Sequence, residues 1–597
     1  MTSHCAKASE LRQRLAQLKN TRTPLEPLYR QLQRYILPET GRFESLANSN
    51  ESNETGYEYI NDATATDAID VLGAGMLGGM TSPARPWFRL TTRNPELDEN
   101  TNVKRWLADV QREMQMVFAK SNVYQALNNA YLELACYGTA CLVALPSDRH
   151  IIHLHEMTAG EYWIEEDSEH RVNTVYRQIW MTSQQMVDTF GKDVVSVQVR
   201  AESENPAKCF TTHSVIQAIE PRPEYDPTKK DWRNMPYRSV YFEEIEGTYD
   251  NSVDADNMLE GKPGKDRILR EEGFKTFPCL VPRWTMSKRS PYGRSPGMKA
   301  LGVIMALQEE TAIKDRAVDY AVNPPMLVPE EYESKPLDFG PGGVSYCNLT
   351  QAQQVKTAWD VNLDLQAVKV DIEDKRQSIN NYFYKDLFLM LAQTARYGRT
   401  AYEVEKLDKE KMLIMGPVLE RLHLELLDPL IATTLQFMER FGQIPPVPDE
   451  LKAQDSIFGE KKFQDQTTNE EVDEEEKTSG DFVNIEYVSI LAQAQRAAGV
   501  DAMSTYVQSL AGASQIWQNA VDMLDIDKWA RSLADQLGVD PELVPSQEEV
   551  EEARNARAQQ MQAQQQLDAV QKMASAAKDI PQVSQSDAVG GMSPFIG

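Results

Sequence analysis

The sequence predicts an α+β fold, mainly helical, and three features carry that prediction. Amphipathic runs with apolar residues every three or four positions recur in residues 8–150 and again from Ser295 to about Arg440. Between roughly 150 and 290 the texture changes to short β-like runs separated by charged or Pro/Gly-bearing turns. Nowhere does an apolar run approach the roughly 18 residues needed to span a bilayer. The N-terminus, MTSHCAKASELRQRL, also lacks the apolar centre of a secretory signal, so a cytoplasmic origin is expected.

Taken in order, Leu11, Leu15 and Leu18 define a first helix, and a second carries Leu28, Leu32 and Ile36 until Pro38 stops it. Helices follow over about 63–80, 103–120 and 123–137, and Gly138 leads into CLVALP, a run short enough to be a strand. Strand candidates in the β-like region are HIIHLHEM, RVNTVYRQIWM, HSVIQAIE, SVYFEEI and FPCLVPRW, with one helix near TSQQMVDTF. From Ser295 two helices flank a Pro/Gly-rich segment, residues 323–361, that holds short strand candidates. The second of them carries Leu365, Val368, Ile372, Ile379, Phe383, Leu387 and Met390. After the loop QTARYGRTAY, a long helical pattern runs from Glu403 to about Arg440, roughly 57 Å if straight at ~1.5 Å per residue. It should kink, because Gly416-Pro417 and Asp428-Pro429 each remove an amide donor and crowd the preceding turn. Residues 443–480 read as an acidic, Pro-rich connector, and helices are expected over about 482–512, 514–537 and 546–577. A Gln/Ala-rich stretch closes the last of these, and residues 579–597 read as a disordered tail.

Composition excludes several function classes. A chain of 597 residues has room for about four structural units, and 41% hydrophobic with 25% charged residues is ordinary for folded protein. The net charge of -28 argues against coating nucleic acid, because phosphate binding needs clustered Lys and Arg. Any DNA contact must be local or weak. Cys5, Cys136, Cys141, Cys209, Cys279 and Cys347 include no C-x-x-C pair, which fits buried reduced thiols and neither a disulfide framework nor a zinc site.

Three literal motifs point elsewhere on inspection. GAGMLG (73–78) spells a dinucleotide fingerprint, with Glu96 and Asp98 at the right distance, but the glycines lie inside a helix already under way. Close packing at small residues is the expected role. GRSPG (293–297) spells a nucleophile elbow. Pro296 suits a first helical position, making Ser295 an N-cap, and His423 is the only histidine downstream. A serine hydrolase using Ser295 is the rival enzyme reading, and an acidic assembly scaffold the rival structural one. His150, His153 and His155 have a spacing that could chelate a metal, yet only Glu156 is an adjacent carboxylate, and a half-exposed strand face is preferred. With no Walker-type loop either, no cofactor, metal or catalytic residue is expected.

Several stretches together resemble the portal, or head-to-tail connecting, proteins of short-tailed bacteriophages. These are YILPETGRF (35–43), DATATDAIDVLGAGMLGGMTSPARPWFRL (62–90), SNVYQALNNAYLELACYGTACLVAL (121–145) and PYGRSPGMKALGVIMALQEE (291–310), followed by helix, insertion and helix. The resemblance covers roughly residues 8–445. It implies a dodecameric ring with wing, stem, clip and crown regions around a DNA channel. Residues 1–290 would be the wing, with a helical part (1–150) and a β-rich part (150–290). Residues 291–322 and 362–392 would be the stem helices, 323–361 the clip, 393–402 a channel loop, 403–442 the kinked helix and 481–578 the crown. The implied partners are double-stranded DNA passing without sequence readout, the terminase large subunit, tail adaptor proteins, and major capsid and scaffolding proteins. No stable membrane contact is implied. The implied location is the virion's head-tail junction, with the host cytoplasm during assembly.

Two groups of residues then become candidates. Arg396, Tyr397 and Arg399 would form a positive tip in the channel loop touching the DNA backbone, although the two arginines can equally pair with Glu403 and Glu405. Glu330, Glu331, Lys335 and Asp338 would lie on the clip, where the resemblance places docking of motor and adaptor. An acidic channel suits a conduit, since each engaged phosphate would add salt-sensitive affinity to a duplex that must slide.

Overall fold

A computed structural model describes residues 8–43, 56–92, 100–226, 229, 231–244, 268–329, 338, 340, 342–347, 356–357, 365–394, 415–448, 463–464, 471–472, 483–488, 507, 509–510, 527–530, 550 and 553–561. The chain divides into two compact units, Met1–Ala498 and Gly499–Gly597. Strands and helices mix as expected.

Helices α1 (Ala8–Arg22) and α2 (Glu26–Tyr35) are joined by the 3-10 turn Thr23–Leu25, where Pro24 opens the turn. The two serve different interiors. Leu11, Leu15 and Leu18 of α1 pack with Trp163, Tyr176, Ile216, Val240 and Phe242, whereas Leu32 of α2 joins the large helical core. That core is built on α3 (Thr64–Met80), α4 (Thr101–Lys120) and α5 (Val123–Tyr137). Strand β1 (Phe88–Thr92) lies between α3 and α4 in the chain.

Gly138 ends α5 at φ +81°, the left-handed conformation that glycine adopts without penalty. It also lies against Gly293: a methyl on Gly138 would come within 2.7 Å of the Gly293 carbonyl oxygen. The chain then enters β2 (Cys141–Ser147), which lies between β3 (Ile151–Met157) and β9 (Cys279–Leu280). Between β3 and β9 is inserted an antiparallel five-stranded sheet in sequence order: β4 (Tyr162–Glu166), β5 (Val172–Thr182), β6 (Thr212–Pro221), β7 (Tyr237–Glu243) and β8 (Arg270–Phe274). α6 (Ser183–Phe190) opens on a capping box of Thr182 and Gln185, and α7 (Val197–Ser203) follows it. With α1 these form a β-rich lobe.

Helix α8 (Pro296–Val322) leads to a three-stranded sheet in which β10 (Met326–Pro329) runs parallel to β11 (Val344–Cys347) and antiparallel to β12 (Lys356–Thr357). The return run, expected as one helix, is divided into α9 (Leu365–Tyr382) and α10 (Lys385–Thr394). Tyr384 takes φ +55° at the break, a left-handed conformation costing an L-residue about 1 kcal/mol or more. Full burial of Phe383, with Leu387 and Phe388 also buried, holds the break in place. Helix α11 (415–422) passes through a π-helical turn, His423–Leu427, into α12 (Asp428–Arg440).

Two short strands, β13 (Phe463–Gln464) and β14 (Glu471–Val472), pair with each other. Residues 483–487, expected to open a helix, form strand β15 (Val483–Tyr487) instead and pair antiparallel with β1 from Phe88↔Tyr487 to Thr92↔Val483. The alternation Val-Asn-Ile-Glu-Tyr is a period-two pattern, and β1 offers it a partner that the local sequence does not announce. In the second unit Arg554 forks onto both carboxylate oxygens of Asp527, at 2.6 and 2.7 Å. Residues 579–597, expected to be disordered, lie outside the described residues.

Candidate functional site

The glycine and serine motifs resolve structurally. Gly73 and Gly75 lie within α3, where a methyl would meet the Leu132 side chain at 2.6 Å and the Phe388 ring at 2.4 Å. These glycines let α5 and α10 approach α3. Ser295 is fully buried and its hydroxyl is occupied twice, donating to the Cys136 carbonyl (2.6 Å) and accepting from the Met298 amide (2.9 Å). It is the N-cap of α8, tying that helix to the end of α5. His153 and His155 stand edge to face, 4.8 Å between ring centres, on the outward side of β3. Burial, with Arg177 and His153 nearby, pushes His155 down to about 4. Asn129 holds Glu156 at 2.6 Å, and among the described residues no three His, Cys, Asp or Glu converge as a metal site.

The helix, sheet and helix from Ser295 to Thr394 are braced by charge. Lys375 of α9 pairs with Glu310 of α8, and Arg376 reaches the buried Asp62 at 2.8 Å. Gln308 accepts the amides of Asn61 and Asp62 at 2.7 and 2.9 Å and donates to the Asp62 carbonyl. At the sheet, the Asp338 amide donates to Ser345 Oγ (2.6 Å), that hydroxyl donates back to the Asp338 carbonyl, and Asp338 Oδ1 accepts from Gly340. Asp338 therefore shapes a turn while remaining exposed. Glu330, Glu331 and Lys335 lie outside the described residues, as do Arg396, Tyr397 and Arg399.

Gly416 and Pro417 fall in the first described turn of α11, and Pro429 is the second residue of α12, after Asp428. In the π-turn the Asp428 amide bonds five residues back to His423. Continuing at 3.6 residues per turn from Met415 would bring Pro429 to the buried face, yet Leu430 and Ile431 are buried there. One inserted residue corrects the phase. The turn presents Glu425 to Arg283, a residue that sequence reasoning did not single out. The Arg283 guanidinium is buried and donates to Glu425 (2.7 Å), Glu166 (2.9 Å) and the His170 carbonyl (2.6 Å), while its backbone amide donates to Glu425 at 2.8 Å. The one available signal was in the stripe Ile414, Val418, Leu422, Leu426, Leu430, whose four-residue steps outrun a 3.6-residue turn.

A second arginine, Arg22, donates to the carbonyls of Gly160 (3.0 Å) and Tyr162 (2.9 Å), where β3 passes into the β-rich lobe. Beneath that link lies Glu133 of α5, accepting from Thr158 Oγ1 (2.6 Å) and the Ala159 amide (3.1 Å). Burial raises its pKa to about 7.

A helical hairpin, α8 with α9, carries a small sheet, and a β-rich lobe is pinned by buried arginines. Residues 8–253 and 255–544 match the family model of the bacteriophage head to tail connecting protein, and the chain belongs to that family. It is 42% identical over 557 residues to a probable portal protein of Bordetella phage BPP-1, covering 93% of this chain and 91% of the relative. It is 36% identical over 579 residues to the portal protein of Salmonella phage epsilon15, covering 97% and 96%. Among the described residues no helix is long and apolar enough to cross a membrane.

Proposed function

We propose that this chain is a phage portal subunit, one of twelve forming the ring at a capsid vertex through which DNA is packaged and ejected. The observation carrying the proposal is similarity to two portal proteins over nine-tenths or more of both chains. Physical support comes from α8 and α9, whose exposed Ile313, Val322 and Val370 are apolar side chains on helix surfaces that neighbouring copies would cover. In this proposal residues 1–290 form the wing, α8 and the α9–α10 run the stem, 323–361 the clip, 393–402 the channel loop and 481–578 the crown. Arg396, Tyr397 and Arg399 touch the DNA backbone, and bends at Gly416-Pro417 and Pro429 turn the long helix back toward the wing. Glu330, Glu331, Lys335 and Asp338 dock the terminase large subunit and then tail adaptors, with capsid and scaffolding proteins as the other partners. The finished ring resides at the head-tail junction of the virion after assembly in the host cytoplasm.

Negative-stain imaging of the purified chain tests the central statement: holed rings are expected, and discrete small oligomers or shapeless particles would overturn it. Packaging assays test the finer ones. Arg396→Ala with Arg399→Ala is expected to lower DNA retention in a salt-dependent way, and unchanged retention at every salt concentration removes the loop contact. Deleting 330–340 is expected to abolish motor docking while rings still form; packaging by those rings removes the clip assignment.

A further inference from the structure

The π-turn His423–Leu427 is held from two directions. On one side Arg283, which follows β9, grips Glu425 and simultaneously reaches Glu166 and the His170 carbonyl at the β4–β5 turn of the β-rich lobe. On the other, Tyr487 of β15 lies flat on His423, with ring centres 3.8 Å apart and planes 6° apart, and its hydroxyl donates to Asp428 at the turn's far end. Trp87 stacks beyond Tyr487 and its carbonyl accepts the Val488 amide, so β1 and β15 close over the same place. Pro429 offers no amide, which leaves the turn one backbone bond short and makes its winding depend on these side-chain contacts.

We propose that this π-turn is a coupling element, through which the position of the β-rich lobe and the docking of strand β15 on β1 depend on each other. Arg283 fixes where Glu425 stands, and thereby the phase at which His423 and Asp428 meet Tyr487. Loosening the lobe contact then loosens the strand, and by reciprocity freeing the strand loosens the β4–β5 turn.

Hydrogen exchange on the purified full chain tests this in both directions. Arg283→Lys keeps the charge and loses the guanidinium fork. It is expected to speed exchange across 483–488 at least tenfold, with β6 unchanged. Tyr487→Phe, which removes only the hydroxyl bonded to Asp428, is expected to speed exchange across 166–171. Arg22→Lys is the control, a buried arginine at the same lobe junction without contact to the π-turn: it should loosen 158–162 and leave 483–488 protected. Unchanged protection of 483–488 in Arg283→Lys overturns the proposal, and so does equal loosening of that strand by Arg22→Lys. If Arg283→Lys does not fold, Tyr487→Phe decides alone, and an unaltered 166–171 overturns it.

Discussion

The helical core and its junction with the β-rich lobe are closed by different physics. Inside the core, α3, α5 and α10 meet where Gly73 and Gly75 leave no room for even a methyl group, around Ile69, Leu72, Met76 and Leu134, all fully buried. At the junction, buried hydrogen-bonding groups do the work: Arg22 on two carbonyls, Arg283 on two carboxylates and a carbonyl, and the Glu133 carboxyl under the linking loop. Apolar contacts are non-directional and tolerate modest repacking. A buried fork of hydrogen bonds tolerates neither a wrong angle nor a missing partner. The junction is therefore the more orientation-specific of the two, and the core the more forgiving.

The largest expected effect tests that contrast at Arg283. Arg283→Met keeps the bulk but removes the buried guanidinium, leaving as ionic contacts among the described residues only the longer one from Arg421 to Glu425 (3.8 Å) and that from His170 to Glu166, which should cost about 3–5 kcal/mol in denaturant unfolding. A loss below about 1 kcal/mol would show the junction to be held by packing after all. Next is Glu133, whose carboxyl keeps its proton in the fold up to about pH 7, against 4.5 for the ordinary value. Between those values the folded state binds more protons than the unfolded one, so stability falls as pH rises, by on the order of 3 kcal/mol over the window. Glu133→Gln should flatten that slope in unfolding midpoints taken at pH 4.5 and 7.5.

Within the core, Gly75→Ala presses a methyl into the Phe388 ring and should destabilise by about 1–3 kcal/mol, read as a lower thermal midpoint. Its effect sharpens the comparison if Phe388→Leu in the same chain recovers part of the loss, since repacking is open to the core and closed to the junction. Smallest is Ser295→Ala, which removes the α8 cap and the bond to the Cys136 carbonyl, for about 1 kcal/mol. A much larger loss would mean that Ser295 does more than cap.

How much was legible follows the same division. Helix α5 begins at Val123 and ends at Tyr137, where the apolar run starts and Gly138 stops it. The capping role of Ser295 and the packing role of GAGMLG were readable because each depends on neighbours within a few residues. Strands β1, β4, β8 and β15 and helix α7 were missed. Their patterns are short: β4 spans five residues against the next strand and α7 seven, and β15 is decided by a partner far along the chain, Phe88 for Tyr487. Arg283 carried no local mark at all, since two of its partners lie 117 and 142 residues away.

The sequence by itself determined the α+β class, the run of helices and the β-like region, because hydrophobic period and turn chemistry act over one or two turns of chain; the likeness to a connector family lay in the order of particular stretches. Only the tertiary structure decided that the return helix breaks at Tyr384, that the long helix takes in an extra residue at His423–Leu427, and that Arg283 joins the two. Those features depend on which buried surface meets which. Phase and charge pairing across a core are set by contacts that local sequence patterns do not encode.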